Sequence, residues 1–469
     1  MTVQIPRLLI AAGRSGAGKT MASCGLIQAL KERGHQVSAF KCGPDYIDPM
    51  FHREALGVAS YNLDSFLCGK ENMREILACR GAAKKTGESG EPLAILEGVM
   101  GYYDGLGGCS VQASTYDAAE ATDTPVVFVA DCKGASVSVV PYIKGFLAYK
   151  EEERAQSGIR GVLLNRISPM LYGRVKERIE KETSVKVYGY LPDMEELSFE
   201  SRYLGLKLPG EVHDIQKKLK AVGACLEKTV DLDGLVRLAQ SAPGIETAGE
   251  EASFFPGKRS GFNRIRIGAA KDQAFCFIYE DNLRILRELG AEIVPFSPLE
   301  DKRLPDNLDG IVLYGGYPEL FADKLSANIS MREDIKAALE NGLPCMAECG
   351  GFQYLQEAIR DEKGNYHPMC AFLPGESFPS SGPRRFGYVT LSGGKVFGKE
   401  VGEISAHEFH YYDSGQCGEA FTAKKPLSNR SWKCMISTET LLAGYPHIHY
   451  AGNRKVAEAF LEACVWKRN

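Results

Sequence analysis

The sequence predicts an α/β protein of two domains: first a doubly wound parallel sheet with helices on both faces, then a second α/β sheet. Three observations lead there. Short apolar runs alternate with segments of helical periodicity through both halves of the chain. The first run opens into a glycine-rich loop and then a helix, the order in which such a sheet presents a phosphate site. Residues 241–263 interrupt the alternation with Pro, Gly, Ser and adjacent glutamates, the composition of a linker. At 469 residues the chain exceeds one ordinary core, so domains are expected at 1–240 and 264–469.

Residues 8–12 read as a buried strand. They lead into Gly13-Arg14-Ser15-Gly16-Ala17-Gly18-Lys19-Thr20, which satisfies G-x-x-x-x-G-K-[ST] at every fixed position. Small residues such as Gly13, Gly16 and Gly18 let backbone N–H groups close around a phosphate. The helix at 21–33, with Leu26, Ile27 and Leu30 at helical spacing and Gly34 at its end, adds a favourable dipole. Lys19 is expected to reach the β- and γ-phosphates of ATP, and Thr20 to ligate Mg²⁺. A strand at 36–41 is followed by residues 41–52, where Gly43, Pro44, Asp45, Asp48 and Pro49 predict a loop on the carboxyl edge of the sheet. Asp45 and Asp48 serve metal or phosphate chemistry, or they only cap turns. The strand at 93–96 ends at Glu97, where phosphate-loop enzymes place a second Mg²⁺ ligand. Asp104 either joins it or shapes a glycine turn. Strands at 125–130, 161–164 and 187–191 extend the sheet, and helices at 213–226 and 232–239 close the domain.

The second domain restarts with a strand at 265–270, a helix at 277–289, strands at 291–296 and 310–314, and a helix at 331–340. Its centre is Leu343-Pro344-Cys345-Met346-Ala347-Glu348-Cys349-Gly350-Gly351-Phe352, a strand that turns through a cysteine and two glycines into a helix expected to run to Ile359. Such a bend is a nucleophile elbow. The helix dipole and the Gly350 N–H are expected to lower the Cys349 pKa and to stabilise an oxyanion, while Cys345 reads as packing. A sulfur nucleophile needs a histidine base from elsewhere in the chain. Five of the eight histidines follow it, four of them in the pairs His407/His410 and His447/His449, and strand alternation would aim the last two the same way. The four together could instead form a zinc site, although imidazoles without thiolate or carboxylate are an uncommon set.

Composition bounds the rest. Hydrophobic content of 44%, charged content of 25% and a net charge of -4 are ordinary for a globular protein. They give no global attraction to nucleic acid or to a membrane, so an anionic substrate must be met by local Lys and Arg. Even the apolar region 125–149 carries Asp131, Lys133 and Lys144, which argues against a bilayer span. The amino terminus, interrupted by Pro6, runs directly into the phosphate loop, which argues against a signal peptide. Fourteen scattered cysteines form no C-x-x-C pair. A cytoplasmic protein is expected.

Taken with Gly315-Gly316-Tyr317-Pro318-Glu319, the Cys349 turn and His407-Glu408-Phe409-His410, the stretch K-x-G-P-D-Y-I-D-P at 41–49 makes the chain resemble the cobyrinic acid a,c-diamide synthases. These glutamine-dependent enzymes amidate two side-chain carboxylates of the corrin ring in cobalamin biosynthesis. The likeness runs through both domains in order. Cobyric acid synthases share the architecture but differ at the 41–49 stretch. The resemblance implies a dethiobiotin synthetase-like phosphate-loop domain and a class I glutaminase-like α/β domain. It implies Cys349 as nucleophile, His447 as base with His449 held open, and Gly316 and Gly350 as oxyanion donors. The family lacks the usual acidic third member, and no H-x-E occurs at the late histidines. Asp45 and Asp104 are implied in the synthetase chemistry. Tyr46, Arg384 and Arg385 are candidate contacts to a polyanionic ring, the two arginines equally reading as a solvated turn. ATP, Mg²⁺, L-glutamine and cobyrinate are the implied cofactors and substrates, with no nucleic-acid or membrane partner and a homodimer left open.

The implied reaction activates a carboxylate as an acyl phosphate and supplies ammonia from glutamine. Free ammonia is mostly protonated at neutral pH, so a sheltered transfer is expected. Two alternatives stand beside it. One is the same chemistry on hydrogenobyrinate or a nickel sirohydrochlorin. The other is a nucleotide-gated switch with an inert glutaminase-like scaffold, against which Arg14 stands where partitioning ATPases carry a lysine.

Overall fold

A computed structural model describes residues 1–81, 90–149, 156–194, 201–202, 205–206, 214–248 and 265–468. The chain forms two compact units, Met1–Gly249 and Glu250–Asn469. In the first, seven strands lie in the order Ser60–Leu63, Gln36–Cys42, Pro92–Glu97, Arg7–Ala12, Val126–Asp131, Ile159–Asn165 and Lys186–Leu191. Every pairing is parallel. Arg7–Ala12 is buried at every residue, as a central strand covered on both faces must be. The order reverses beside it: the chain first builds outward to Ser60–Leu63, returns through Pro92–Glu97, and then crosses to Val126–Asp131. The phosphate loop leaves the carboxyl end of Arg7–Ala12, at this switch point.

Arg7 is the exception to the apolar rule. Its buried guanidinium donates to Ile5 O at 3.0 Å, Thr124 Oγ1 at 3.1 Å, and Thr122 O and Pro243 O at 2.8 Å. Burial lowers its pKa to about 10. The bond to Pro243, and the pairing of Ile245–Glu246 with Thr2–Val3, tie residues that read as linker to the first unit. The rest of the expected linker, from 249 to 263, lies outside the described residues, as does His213 at the head of the helix expected at 213–226. The observed helix there is Ile215–Thr229.

Residues 41–52 are only partly a loop, because Ile47–Glu54 is a helix. Asp45 starts it: one carboxylate oxygen accepts from Ile47 N at 2.8 Å and Asp48 N at 3.2 Å. Pro49 sits in the first turn, where the missing N–H costs nothing.

The second unit has a six-stranded sheet in the order Ala291–Phe296, Ile265–Ala270, Gly310–Leu313, Cys345–Glu348, Leu441–Gly444, Ile436–Ser437, antiparallel only at the last pairing. The helix expected at 277–289 is the shorter Glu280–Glu288. The helix after Cys349 stops at Leu355, and Ala358–Arg360 is already a strand of a second sheet. That sheet is dominated by the antiparallel pair Glu376–Ser392 and Ile404–Ser414. Along Ile404–Ser414 every second residue is buried, including Glu408 and His410. His407 therefore faces the side opposite His410. It stands across from His447 in the pairing with His447–Ile448.

Candidate active site

Gly18 has φ 98°, a left-handed conformation that only glycine adopts readily, and a β-carbon there would fall 2.2 Å from Asn165 Nδ2. Asn165 ends a strand of the same sheet and donates to Ala17 O at 2.9 Å, bracing the loop. Lys19 bends back to donate to Arg14 O at 3.1 Å and to Met100 O. Burial, and next the charge of Lys41, lower its pKa to about 8. Arg14 pairs with Asp131 at 2.8 Å, and Arg166 holds the same carboxylate.

Behind the loop lies a buried ionic cluster. Thr20 donates to Glu97 Oε1 at 2.7 Å. Lys41, opposite Glu97 in the sheet register, donates to that oxygen at 2.9 Å and also pairs with Asp48. His52 Nε2 is 3.4 Å from Glu97 Oε2, and its Nδ1 meets Ser60 Oγ at 3.1 Å. Burial opposes every charge here. At Glu97 it is outweighed by Lys41, His52 and Thr20, which hold the carboxylate well below its usual range. At Lys41 it is outweighed by Asp48, Glu97 and Asp45, which hold the ammonium well above its usual value. Asp48 goes the other way, pushed up by burial and by Asp45. One ammonium faces more carboxylate than it can neutralise.

These residues fit a hard divalent cation. Mg²⁺ takes oxygen ligands, few of them from the protein and the rest from phosphates and water. The Thr20 hydroxyl and Glu97 carboxylate already touch, and the 3.4 Å contact leaves Glu97 Oε2 buried with no hydrogen bond. Asp45 is less available, since one oxygen caps the Ile47–Glu54 helix. Asp104 Oδ2 accepts from Gly101 N at 2.9 Å and so shapes the turn. Tyr46 is buried immediately before that helix.

In the second unit Cys349 joins the strand Cys345–Glu348 to the helix Gly350–Leu355 at φ 46°, ψ -104°. A side-chain-bearing residue in such a region costs about 1–3 kcal/mol. The bond from Cys349 N to Gly444 O, 2.7 Å, helps to hold it there. Gly315 lies between the cysteine and His447. A β-carbon at Gly315 would sit 2.4 Å from His447 Cε1 and 3.3 Å from Cys349 Cβ, so the two residues converge on a position that has no room for a side chain. A β-carbon at Gly350 would sit 3.1 Å from Gly316 N, which places the two expected oxyanion donors side by side. Glu348, the residue before the cysteine, has Oε2 3.7 Å from His447 Nδ1.

The expected lowering of the Cys349 pKa does not hold. Burial pushes the thiol well above its usual value, Glu319 adds to this, and the opposing Gly350 N–H is outweighed. A six-residue helix is a weak source of field. Burial thus favours the thiol over the thiolate.

His449 and His410 are engaged elsewhere. His449 packs on Tyr279 with ring centroids 4.7 Å apart and accepts from Ala451 N at 3.3 Å. Burial lowers its pKa to about 3. His410 stacks on Tyr445 at 3.9 Å and meets Glu408 at 3.2 Å. Among the described residues no group of three or more His, Cys, Asp or Glu is placed to hold a metal ion. Arg384 and Arg385 lie 3.9 and 3.6 Å from Asp413, which answers part of their charge. Sequence reasoning missed Lys41, His52 and Glu348. A lysine ending a buried strand beside an acidic one was the available signal for the first.

A phosphate-loop sheet with a Thr–Glu pair and a cysteine elbow facing a histidine define a class: a nucleotide-binding domain joined to a glutamine amidotransferase domain, the plan of a glutamine-dependent ligase. Residues 8–203 match the family of the CobQ/CobB/MinD/ParA nucleotide binding domain, and residues 266–455 that of the CobB/CobQ-like glutamine amidotransferase domain. A cobyrinate a,c-diamide synthase of Listeria innocua is 38% identical over 454 residues, covering 95% of this chain and 97% of its own. One from Caldanaerobacter subterraneus subsp. tengcongensis is 35% identical, covering 97% of this chain and 98% of its own. One from Picrophilus torridus is also 35% identical, covering 98% and 99%. The chain belongs to the cobyrinate a,c-diamide synthase family. Among the described residues no helix is long and apolar enough to cross a membrane.

Proposed function

We propose that this chain amidates the a and c side-chain carboxylates of cobyrinic acid, using ATP and L-glutamine, through acyl phosphates. The observation that carries the reading is that one chain holds both a phosphate loop backed by the Thr20–Glu97 pair and a strained cysteine converging with His447.

A carboxylate resists nucleophiles because of its resonance and charge. In the first unit its oxygen attacks the γ-phosphorus of ATP, the bond to the ADP oxygen breaks, and the product carries phosphate as a leaving group. The loop N–H groups and Lys19 hold the β- and γ-phosphates and offset the charge moving onto ADP. Mg²⁺, held by Thr20 and Glu97, would add charge neutralisation there when bound. Lys41, Asp48 and His52 fix the Glu97 carboxylate. Asp45 and Asp104 act as positioning residues that set the loops around the phosphates, and Tyr46 contacts the ring.

In the second unit the Cys349 sulfur attacks the glutamine amide carbon while its proton passes to His447. The oxygen becomes an oxyanion facing the N–H groups of Gly316 and Gly350. When it collapses, the carbon–nitrogen bond breaks, His447 returns the proton to nitrogen, and ammonia leaves a glutamyl thioester. Water, deprotonated by His447, cleaves the thioester to glutamate. Ammonia attacks the acyl phosphate carbon and expels phosphate, leaving the amide.

The test is the product formed from cobyrinate, ATP and glutamine, weighed by mass spectrometry, with ¹⁸O in the substrate carboxylates. Two replacements of OH by NH₂, with one ¹⁸O delivered to phosphate for each, are expected. Faster turnover of hydrogenobyrinate or nickel sirohydrochlorin would reassign the ring, and phosphate without ¹⁸O would rule out the acyl phosphate.

A further inference from the structure

The sequence offers no carboxylate two residues beyond the catalytic histidine, so His447 lacks the orienting acid that such a base ordinarily has. A histidine acting on a thiol must present one nitrogen to sulfur and keep its proton on the other, and something has to hold that tautomer. The fold supplies a carboxylate from a different place. Glu348 is the last residue of the strand Cys345–Glu348, 2% exposed, and immediately precedes the nucleophile. One oxygen accepts from Ile448 N at 3.3 Å, which fixes the side chain against the residue following His447. The other lies 3.7 Å from His447 Nδ1. That is ion-pair distance and longer than a hydrogen bond, the loose geometry that such contacts show before substrate tightens them.

We infer that Glu348 is the positioning residue for His447, taking the part of the missing third member from the nucleophile's own strand. The inference rests on Cys349 and His447 acting as proposed above. Other acids nearby are less suited. Glu408 is shared between His410 at 3.2 Å and Trp432 Nε1 at 3.2 Å. Glu319 adjoins Cys349 electrostatically and forms no ion pair with His447 among the described residues. His407, across the strand pair, is an imidazole and brings no negative charge. In this arrangement the Glu348 carboxylate accepts the Nδ1–H, leaves Nε2 to take the thiol proton, and stabilises the imidazolium formed as sulfur attacks. One consecutive pair, Glu348 and Cys349, then acts on the histidine from both sides.

The experiment compares glutamine hydrolysis by the full chain and by Glu348→Gln, Glu348→Asp and Cys349→Ala, with ammonia-driven amidation as the check that each protein is folded. Glu348→Gln keeps the shape and the backbone contact but loses the charge. Its kcat should fall about 10²-fold while KM for glutamine stays within about twofold, because the lost interaction is made only as charge develops on His447. Glu348→Asp should recover about tenfold of that loss, which a purely structural role would not produce. Wild-type kcat in Glu348→Gln would overturn the inference. So would equal losses of kcat, KM and melting temperature in the Gln and Asp variants. Glutamine hydrolysis surviving in Cys349→Ala would instead bring down the glutaminase reading on which it rests.

Discussion

Around Glu97, Lys41, Asp48 and His52 crowd one buried carboxylate, and burial is overcome at Glu97 because Lys41, His52 and Thr20 outweigh it. Around Cys349 burial wins: it favours the protonated thiol, and the residue that converges with it at Gly315 is the imidazole of His447. The contrast follows from the two jobs. Phosphoryl transfer moves negative charge that is present from the start, so its site is charged before substrate arrives. Amide cleavage creates charge on the sulfur and the substrate oxygen only as the reaction proceeds, so a protonated thiol loses less by waiting and gains more when the charge appears. The difference can be tested from both sides.

The largest effect should come from the charged site. Lys19→Ala, or Glu97→Gln, should lower amidation by about 10³-fold or more while glutamine hydrolysis continues, measured as phosphate and glutamate release side by side. Comparable amidation in either variant would remove the phosphate and metal roles. Lys41→Met should next separate the two regions by stability. Leaving Asp48 and Glu97 buried without their cation should cost the first unit about 3–5 kcal/mol in denaturant unfolding. A loss in the second unit's transition instead would show that the cluster is not local.

A subtler test uses protons. Burial and Lys41 hold the Lys19 ammonium to about 8, whereas bound phosphate favours its charged form. ATP binding near pH 8 should therefore take up protons, and the uptake should fade as pH falls well below that value, because Lys19 is then already protonated. Calorimetry in buffers of different ionisation enthalpy reads this directly. Proton release, or unchanged uptake in Lys19→Ala, would contradict the assignment. The smallest effects are expected at Asp45 and Asp104. Replacing either by Asn keeps an acceptor for the backbone N–H groups it caps and should cost about 1 kcal/mol or less. A loss as large as that of Lys19→Ala would move these carboxylates from positioning into the chemistry.

How far each site was legible follows from how its residues are spaced. The phosphate loop is contiguous, and its strand, turn and helix are each short-range features, so Gly13 to Thr20 could be read almost whole. Glu97 could be inferred because it ends a strand of the same sheet. Lys41 gave only the faint signal of a lysine at the end of a buried strand, since its importance rests on a parallel register that brings it opposite Glu97. The helix at Ile47–Glu54 was masked by Pro44 and Pro49, which signal a turn more strongly than they forbid a first helical turn. In the second unit the elbow was visible from its glycines, but the histidine lies 98 positions later, and choosing His447 over His449 depends on the Gly315 convergence. The pKa of Cys349 was misjudged because dipole and N–H are local signals while desolvation is a property of the whole fold. The antiparallel sheet around Ile404–Ser414 escaped notice because its alternating pattern buries Glu408 and His410, residues that read as surface.

The central claim is that one chain runs two separable reactions, and the Cys349→Ala protein tests it most directly. Assayed with cobyrinate and ATP, it should form no amide from glutamine yet form the same diamide from added ammonium. Amide formation from glutamine in that variant, or its failure with ammonium while the protein remains folded, would contradict the account.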